Sequence, residues 1–165
     1  MSTTSTLGLN NTSFWSSPYA VPAAFLTWNW FYAYCVLASR TPKQWYGIDH
    51  NGSPRQDLNK YGAVAVKEGK LTQAQLDQIQ RVEAASANSV EGYVLFVASV
   101  LFGLIANVPS ESLTTACTTY TIARLVYGYV YVFVPDDRWS QIRGISWWVA
   151  NSSCLYLFWK GAVQG

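Results

Sequence analysis

Two sets of polar residues stand inside stretches that are otherwise apolar. In "RVEAASANSVEGY", residues 81–93, Arg81, Asn88 and Glu91 are separated by seven and three residues, so a helix carries them on one side. Farther along, Tyr120, Arg124, Tyr127 and Tyr131 are separated by four, three and four and form a second stripe. A carboxylate, phenols and a guanidinium brought together can serve as acid, base and anion stabiliser. A charge deep in a bilayer costs about 2.5–3.5 kcal/mol on insertion scales and persists when it faces a bundle interior with a partner. Glu91 and Arg124 are the candidates for such a pair, and the two stripes facing each other would line a polar cleft. The same spacing also suits interhelical hydrogen bonds and tyrosine packing that only hold a bundle together.

The elements that would position these stripes read as membrane helices. Of the 165 residues, 50% are hydrophobic, 16% aromatic and only 12% charged, against about 25% charged in a soluble domain. A bilayer core of about 30 Å needs roughly 20 apolar residues as a helix. Four segments suit that length: 19–39, 72–108, 111–134 and 142–163. The expected fold is all-α, an integral membrane four-helix bundle with one domain over residues 19–165. Thr72 is the expected N-cap of the second helix, whose first third is polar and projects into water. Pro109 and Ser110 make a very short second connection. Residues 40–71 form a polar, turn-rich first loop, long for a structureless segment, which suggests function or mobility. "PDDRWSQIRG", residues 135–144, reads as a second polar loop. Glu83, Glu111, Asp136 and Asp137 read as solvated residues at helix ends and loops.

Other function classes find little support. A net charge of +2 is too small to argue for nucleic acid. Cys35, Cys117 and Cys154 fall in three separate apolar stretches and read as small core residues rather than a disulfide framework. With His50 the only histidine, no metal site is expected.

Charge also sets an orientation. Arg40, Lys43, Arg55, Lys60, Lys67, Lys70, Arg81, Arg138 and Arg143 fall on one side of the four-span arrangement, and Lys160 on the other. The positive-inside rule puts the first and third loops in the cytosol. Both termini then face the lumen. Residues 1–18 form a disordered lumenal arm, and the glycosylation sequons at Asn10 and Asn11 become usable.

These segments together resemble the membrane-associated proteins in eicosanoid and glutathione metabolism, the MAPEG family, which includes microsomal glutathione transferases and leukotriene-C synthase. "RVEAASANSVEGYVLF" is similar to that family's second helix at Arg81, Ala85, Asn88, Glu91 and Phe96. "ARLVYGYVY" is similar to its third helix at Arg124, Leu125, Tyr127 and Tyr131, and "RGISW" at 143–147 to the start of its fourth. The resemblance covers roughly residues 19–163.

The resemblance implies a homotrimer in the endoplasmic reticulum membrane, with glutathione as co-substrate between subunits, open to the cytosol, and a lipophilic second substrate. Asn88 and Glu91 would hold the peptide's polar backbone and amino group. Tyr127 and Tyr131 would add hydrogen bonds, with Arg81 and Arg124 completing the binding set. Either Arg138 or Arg143 would stabilise the thiolate, which makes them catalytic candidates alongside Tyr131 and Glu91. The chain departs from the family pattern at Ala84, where a second arginine helps grip glutathione's carboxylate, and at Gly92, where an aromatic often follows the glutamate. Three functions follow: a glutathione-dependent transferase, peroxidase or isomerase; a glutathione-independent cyclase or isomerase of an apolar metabolite; and a non-catalytic lipid-binding scaffold.

Overall fold

The computed structural model describes residues 17–164, apart from the side chain of Asp137. The expected arm with Asn10 and Asn11 lies outside the described residues, except for its last two positions. Among the described residues there are helices and no strands. They are α1 (Ala20–Phe31), continued directly by a π-helical turn (Tyr32–Val36), then α2 (Arg40–Trp45), α3 (Asp57–Lys67), α4 (Gln73–Ile105), α5 (Ser110–Phe133) and α6 (Asp137–Gln164). Of these, α4 is long enough, and contains an apolar enough stretch, to cross a membrane by length and composition.

Local chemistry fixes both ends of α4. Thr72 caps it as expected, through a reciprocal pair in which the Gln75 amide donates to Thr72 Oγ1 (3.3 Å) and the Thr72 amide donates to Gln75 Oε1 (2.8 Å). That capping box satisfies two otherwise unpaired donors. At the other end Asn107 takes a left-handed conformation, φ 55°. Its amide donates to Leu104 O (3.2 Å), and the Val108 amide donates to Gly103 O (2.9 Å). This Schellman arrangement closes the helix, and Pro109 then turns the chain directly into α5.

The main core lies between α4, α5 and α6, where Phe96, Val100, Leu113, Tyr120, Ala150 and Leu157 are buried together. Cys117 and Cys154 are buried in it, whereas Cys35 is exposed, so only two of the three cysteines are core residues. The π turn joins α4 and α5 in a smaller cluster of Tyr32, Leu37, Ala85 and Val132.

The first loop differs from expectation. It is not structureless: α2 and α3 fold within it over a core of Ile48, Leu58, Leu71, Leu76 and Ile79. Its centre is ionic. Lys43, only 3% exposed, donates to Pro54 O (2.6 Å) and stands 3.8 Å from Asp57 and 3.9 Å from Glu83. The buried Asp57 also accepts the His50 amide (3.3 Å) and lies 3.2 Å from His50 Nδ1, while the His50 ring stacks on Tyr61 at 3.9 Å. Glu83 is therefore only partly solvated. One of its carboxylate oxygens is buried, because the folded loop brings Lys43 against α4.

The third connection is also shorter than expected. Residues 137–144 are the first two turns of α6 rather than a loop, so Arg138 and Arg143 stand on a helix. Asp136 explains the early start: its side chain accepts the Arg138 amide (2.8 Å) and its carbonyl accepts the Ser140 amide (3.1 Å). A carboxylate at a helix start also complements the dipole.

Candidate functional site

Arg124 is the structural centre of the polar residues. It is 2% exposed, the largest side chain so fully buried. Its Nη1 donates to Asn88 Oδ1 and its Nη2 to Ser89 Oγ, both at 3.0 Å. Its Cζ lies 4.5 Å from the centre of the Tyr127 ring, within cation–π range. Its own carbonyl accepts the Tyr32 hydroxyl (3.3 Å).

The ladder continues along α5. Tyr127 and Tyr131 meet edge to face with ring centres 5.5 Å apart. Arg143, from α6, lies with Cζ 4.4 Å from the Tyr131 ring centre. The two sequence stripes are thus brought together, in the order Asn88, Arg124, Tyr127, Tyr131, Arg143. Arg143 joins this row, whereas Arg138 is exposed and stands at the start of α6. Arg81 is half-buried, and its Nε donates to Val132 O (3.4 Å) near the end of α5.

The expected charge pair is not formed. Among the described residues Arg124 has neutral hydrogen-bond partners and no ion pair with Glu91, which is exposed on the outer flank of α4. The reason is angular. A helix turns about 100° per residue. Arg124 points between Asn88 and Ser89, and Glu91 lies about 110° around α4 from that direction.

Arg124 therefore lies behind the wall, and Asn88, Glu91, Tyr131 and Arg143 lie at its surface. Donation from Nη1 fixes the Asn88 amide so that its oxygen faces inward, leaving the NH₂ group free to donate outward. Gly92 keeps space for this arrangement: a Cβ there would stand 3.2 Å from Tyr120 Oη and 3.5 Å from Arg124 Cζ.

Sequence reasoning missed Ser89 and Tyr32, which respectively hold the Arg124 side chain and cap its carbonyl. The signal for Ser89 was present. Ala85, Ser89 and Gly92 are spaced by four and three and form a small-residue stripe, the mark of close helix approach in membranes. Asn29, also missed, donates to Thr121 Oγ1 (2.8 Å) and ties α1 to α5 beside the site.

Comparison with the curated proteins and with the solved structures finds no match. The family model described as "MAPEG family" matches residues 19–163. That match runs from the residue before α1 to the last turn of α6, through every element that builds the Arg124 row, and the chain belongs to the MAPEG family, a family that includes glutathione transferases and related enzymes.

Proposed function

We propose that this chain is a membrane-bound, glutathione-dependent transferase, peroxidase or isomerase acting on a lipophilic substrate. The observation that carries the reading is the row running from Asn88 through Arg124, Tyr127 and Tyr131 to Arg143. It sets an oriented amide at one end and a partly accessible guanidinium at the other, with phenols between. A tripeptide thiol needs donors for its polar backbone and a cation for its sulfur, and Glu91, at the surface near Asn88, adds a carboxylate for its ammonium.

Glutathione supplies a thiol nucleophile when bound. Asn88 donates to its backbone, and Glu91 accepts from its ammonium. Tyr131 donates a hydrogen bond near the sulfur. Arg143 holds positive charge beside it, which lowers a thiol pKa from about 8.5 toward neutrality. Arg124 acts through Asn88 and Tyr127 as a positioning residue. Arg81 stands near the cytosolic end of the row and can meet a carboxylate in the absence of an arginine at Ala84.

The protein spans the membrane four times, as α1 with its π turn, α4, α5 and α6. The exposed faces of α5 and α6 support this reading, with Ile122, Tyr129, Phe133, Trp148, Leu155 and Trp159 turned outward and Arg124, Thr121, Asn151 and Ser153 inward. At 33 residues, α4 is about 50 Å long, so about 20 Å projects beyond a 30 Å core. Glu91 then sits roughly one turn inside the cytosolic boundary. Exposed to lipid there, its carboxylate would be costly. A homotrimer in the endoplasmic reticulum membrane, with a cytosol-facing site between subunits, covers it. Isothermal titration of the detergent-solubilised protein with glutathione tests the reading, with saturable heat expected. No heat at millimolar ligand overturns it.

A second reading keeps the fold and drops the thiol. The space beside Gly92, against Tyr120 Oη and Arg124 Cζ, favours a glutathione-independent cyclase or isomerase of an apolar metabolite. Turnover without glutathione that is lost in Glu91→Gln would decide for it.

A further inference from the structure

A second site lies around α5 from the Arg124 row, on a face about a third of a turn away. A cavity of about 730 Å³ opens there between the π turn, α2, the start of α4 and the second half of α5. Its volume falls in the range of small-molecule sites, roughly 300–1,000 Å³. None of the residues placed above in the glutathione row lines it.

The cavity has a direction. Gln75 and Gln78 lie near the start of α4, and Phe133 ends α5, so these residues mark one end. Leu125 lies eight residues before Phe133, about 12 Å deeper along the helix. The mouth offers polar groups from Gln75, Gln78 and Thr41, and the depth is apolar, closed by Leu125, Val82 and the Tyr32 ring on Gly128. Gln75 Oε1 is used by the capping box, which leaves its NH₂ group to donate. The Gln78 side-chain amide has no hydrogen-bond partner among the described residues. Trp45 stands on the rim, 78% exposed, as aromatic anchors do at a membrane interface. The wall itself includes the π-helical turn, and such turns recur at functional sites.

Its charge is the most informative property. Among the described residues no Lys, Arg, His, Asp or Glu lines the cavity, although Arg40 and Lys43 stand on the helix that roofs it. Both cations are committed elsewhere: Arg40 to Asp49 and Asn51, Lys43 to Pro54, Asp57 and Glu83. A carboxylate or phosphate head would find no counter-charge there, and a neutral head would find amide donors and acceptors. We propose that this cavity binds a membrane-borne single-chain amphiphile with an uncharged, hydrogen-bonding head group, of the monoacylglycerol type. The head lies against Gln75 and Gln78 and the chain runs toward Leu125.

Cys35 lines the cavity and is exposed, whereas Cys117 and Cys154 are each 1% exposed and serve as internal references. The full chain in phosphatidylcholine nanodiscs is alkylated with N-ethylmaleimide, and modification of each cysteine is followed by mass spectrometry. Monooleoylglycerol is expected to slow alkylation of Cys35 at least fivefold and saturably. Oleate and lysophosphatidylcholine at the same mole fraction should slow it less than twofold. Leu125→Trp, at a position 38% exposed, fills the deep end and should abolish the monooleoylglycerol effect. Gln78→Lys, at the mouth, should transfer the protection to oleate. The proposal is overturned if monooleoylglycerol leaves the Cys35 rate unchanged, or if the charged amphiphiles protect equally. It is likewise overturned if protection survives in Leu125→Trp or Gln78→Lys leaves the preference unaltered.

Discussion

Tyr32 and Gly128 form a contact whose energetics can be tested by a double-mutant cycle. A Cβ on Gly128 would collide with the Tyr32 hydroxyl and stand 3.1 Å from Tyr32 Cζ. Tyr32 is buried and its hydroxyl donates to Arg124 O, so it has no free route away. Overpacking of this kind costs about 1–3 kcal/mol, and displacing the hydroxyl adds a lost hydrogen bond of about 0.5–1.5 kcal/mol. The alanine recovers about 1 kcal/mol of helix propensity. Gly128→Ala should therefore destabilise by about 0.5–3.5 kcal/mol net. Tyr32→Phe alone loses the hydrogen bond, about 0.5–1.5 kcal/mol. In the double variant the colliding oxygen is gone and the propensity gain remains, so the pair should cost no more than Tyr32→Phe. The coupling between the two sites is then the overpacking plus the displaced hydrogen bond, about 1.5–4.5 kcal/mol, with the double variant more stable than the sum of the singles. Equilibrium unfolding in mixed micelles, titrated with dodecyl sulfate, measures all four proteins. Additivity within about 0.5 kcal/mol would refute the packing argument.

Other expectations follow from the same geometry. Arg143→Leu should remove the thiolate absorbance of bound glutathione in the ultraviolet while Arg138→Leu retains it, because only Arg143 stacks on Tyr131; equal loss in both refutes the distinction. Arg124→Lys should raise the KM for glutathione about tenfold, equivalent to 1.4 kcal/mol, with a smaller fall in kcat, because an ammonium cannot span Asn88 and Ser89 as the guanidinium fork does. Asp57→Asn leaves Lys43 in the first loop short of a buried partner, a change worth about 3–5 kcal/mol; amide exchange should accelerate in α2 and α3 and stay unchanged in α5 and α6. Burial pushes the Asp49 carboxyl up, but hydrogen bonds from Gln44 and Arg40 and the charges of Arg40 and Lys43 outweigh it and hold the group below its ordinary 3.8. Its contribution is thus present above that value and lost as pH falls through the lowered one, and Asp49→Asn should remove this acid dependence from amide exchange in α2.

What could be read in advance was local or periodic. The start of α4 depends on Thr72 and Gln75, three residues apart, and the membership of each polar stripe depends only on helical spacing. The partner of Arg124 was misread because spacing gives the residues on one face but not which edge of that face meets the neighbouring helix. Glu91 offered the opposite charge, yet the small-residue stripe of Ala85, Ser89 and Gly92 is the side that lets α5 approach. The interior of the first loop was hidden for another reason. Lys43, Asp57 and Glu83 come from three helices, α2, α3 and α4, and the turn residues Gly47, Asn51, Gly52 and Pro54 interrupt the sequence between the first two. The third loop was overlong because a polar helix start has the composition of a loop until Asp136 is recognised as its cap.

Arg124 is linked to both proposed sites by different atoms, and this limits how strongly they can influence each other. Its guanidinium orients Asn88 on the side of the proposed glutathione site, while its carbonyl accepts the hydroxyl of Tyr32, which closes the cavity proposed for the amphiphile. An amphiphile chain that displaced the Tyr32 ring would release that carbonyl without breaking either guanidinium hydrogen bond. Coupling through this route can be no larger than the hydrogen bond it uses, about 0.5–1.5 kcal/mol, or at most about a tenfold change in affinity at either site. The cavity can therefore tune the polar row but cannot switch it off, because the groups that hold Asn88 in place come from side-chain atoms the cavity does not reach.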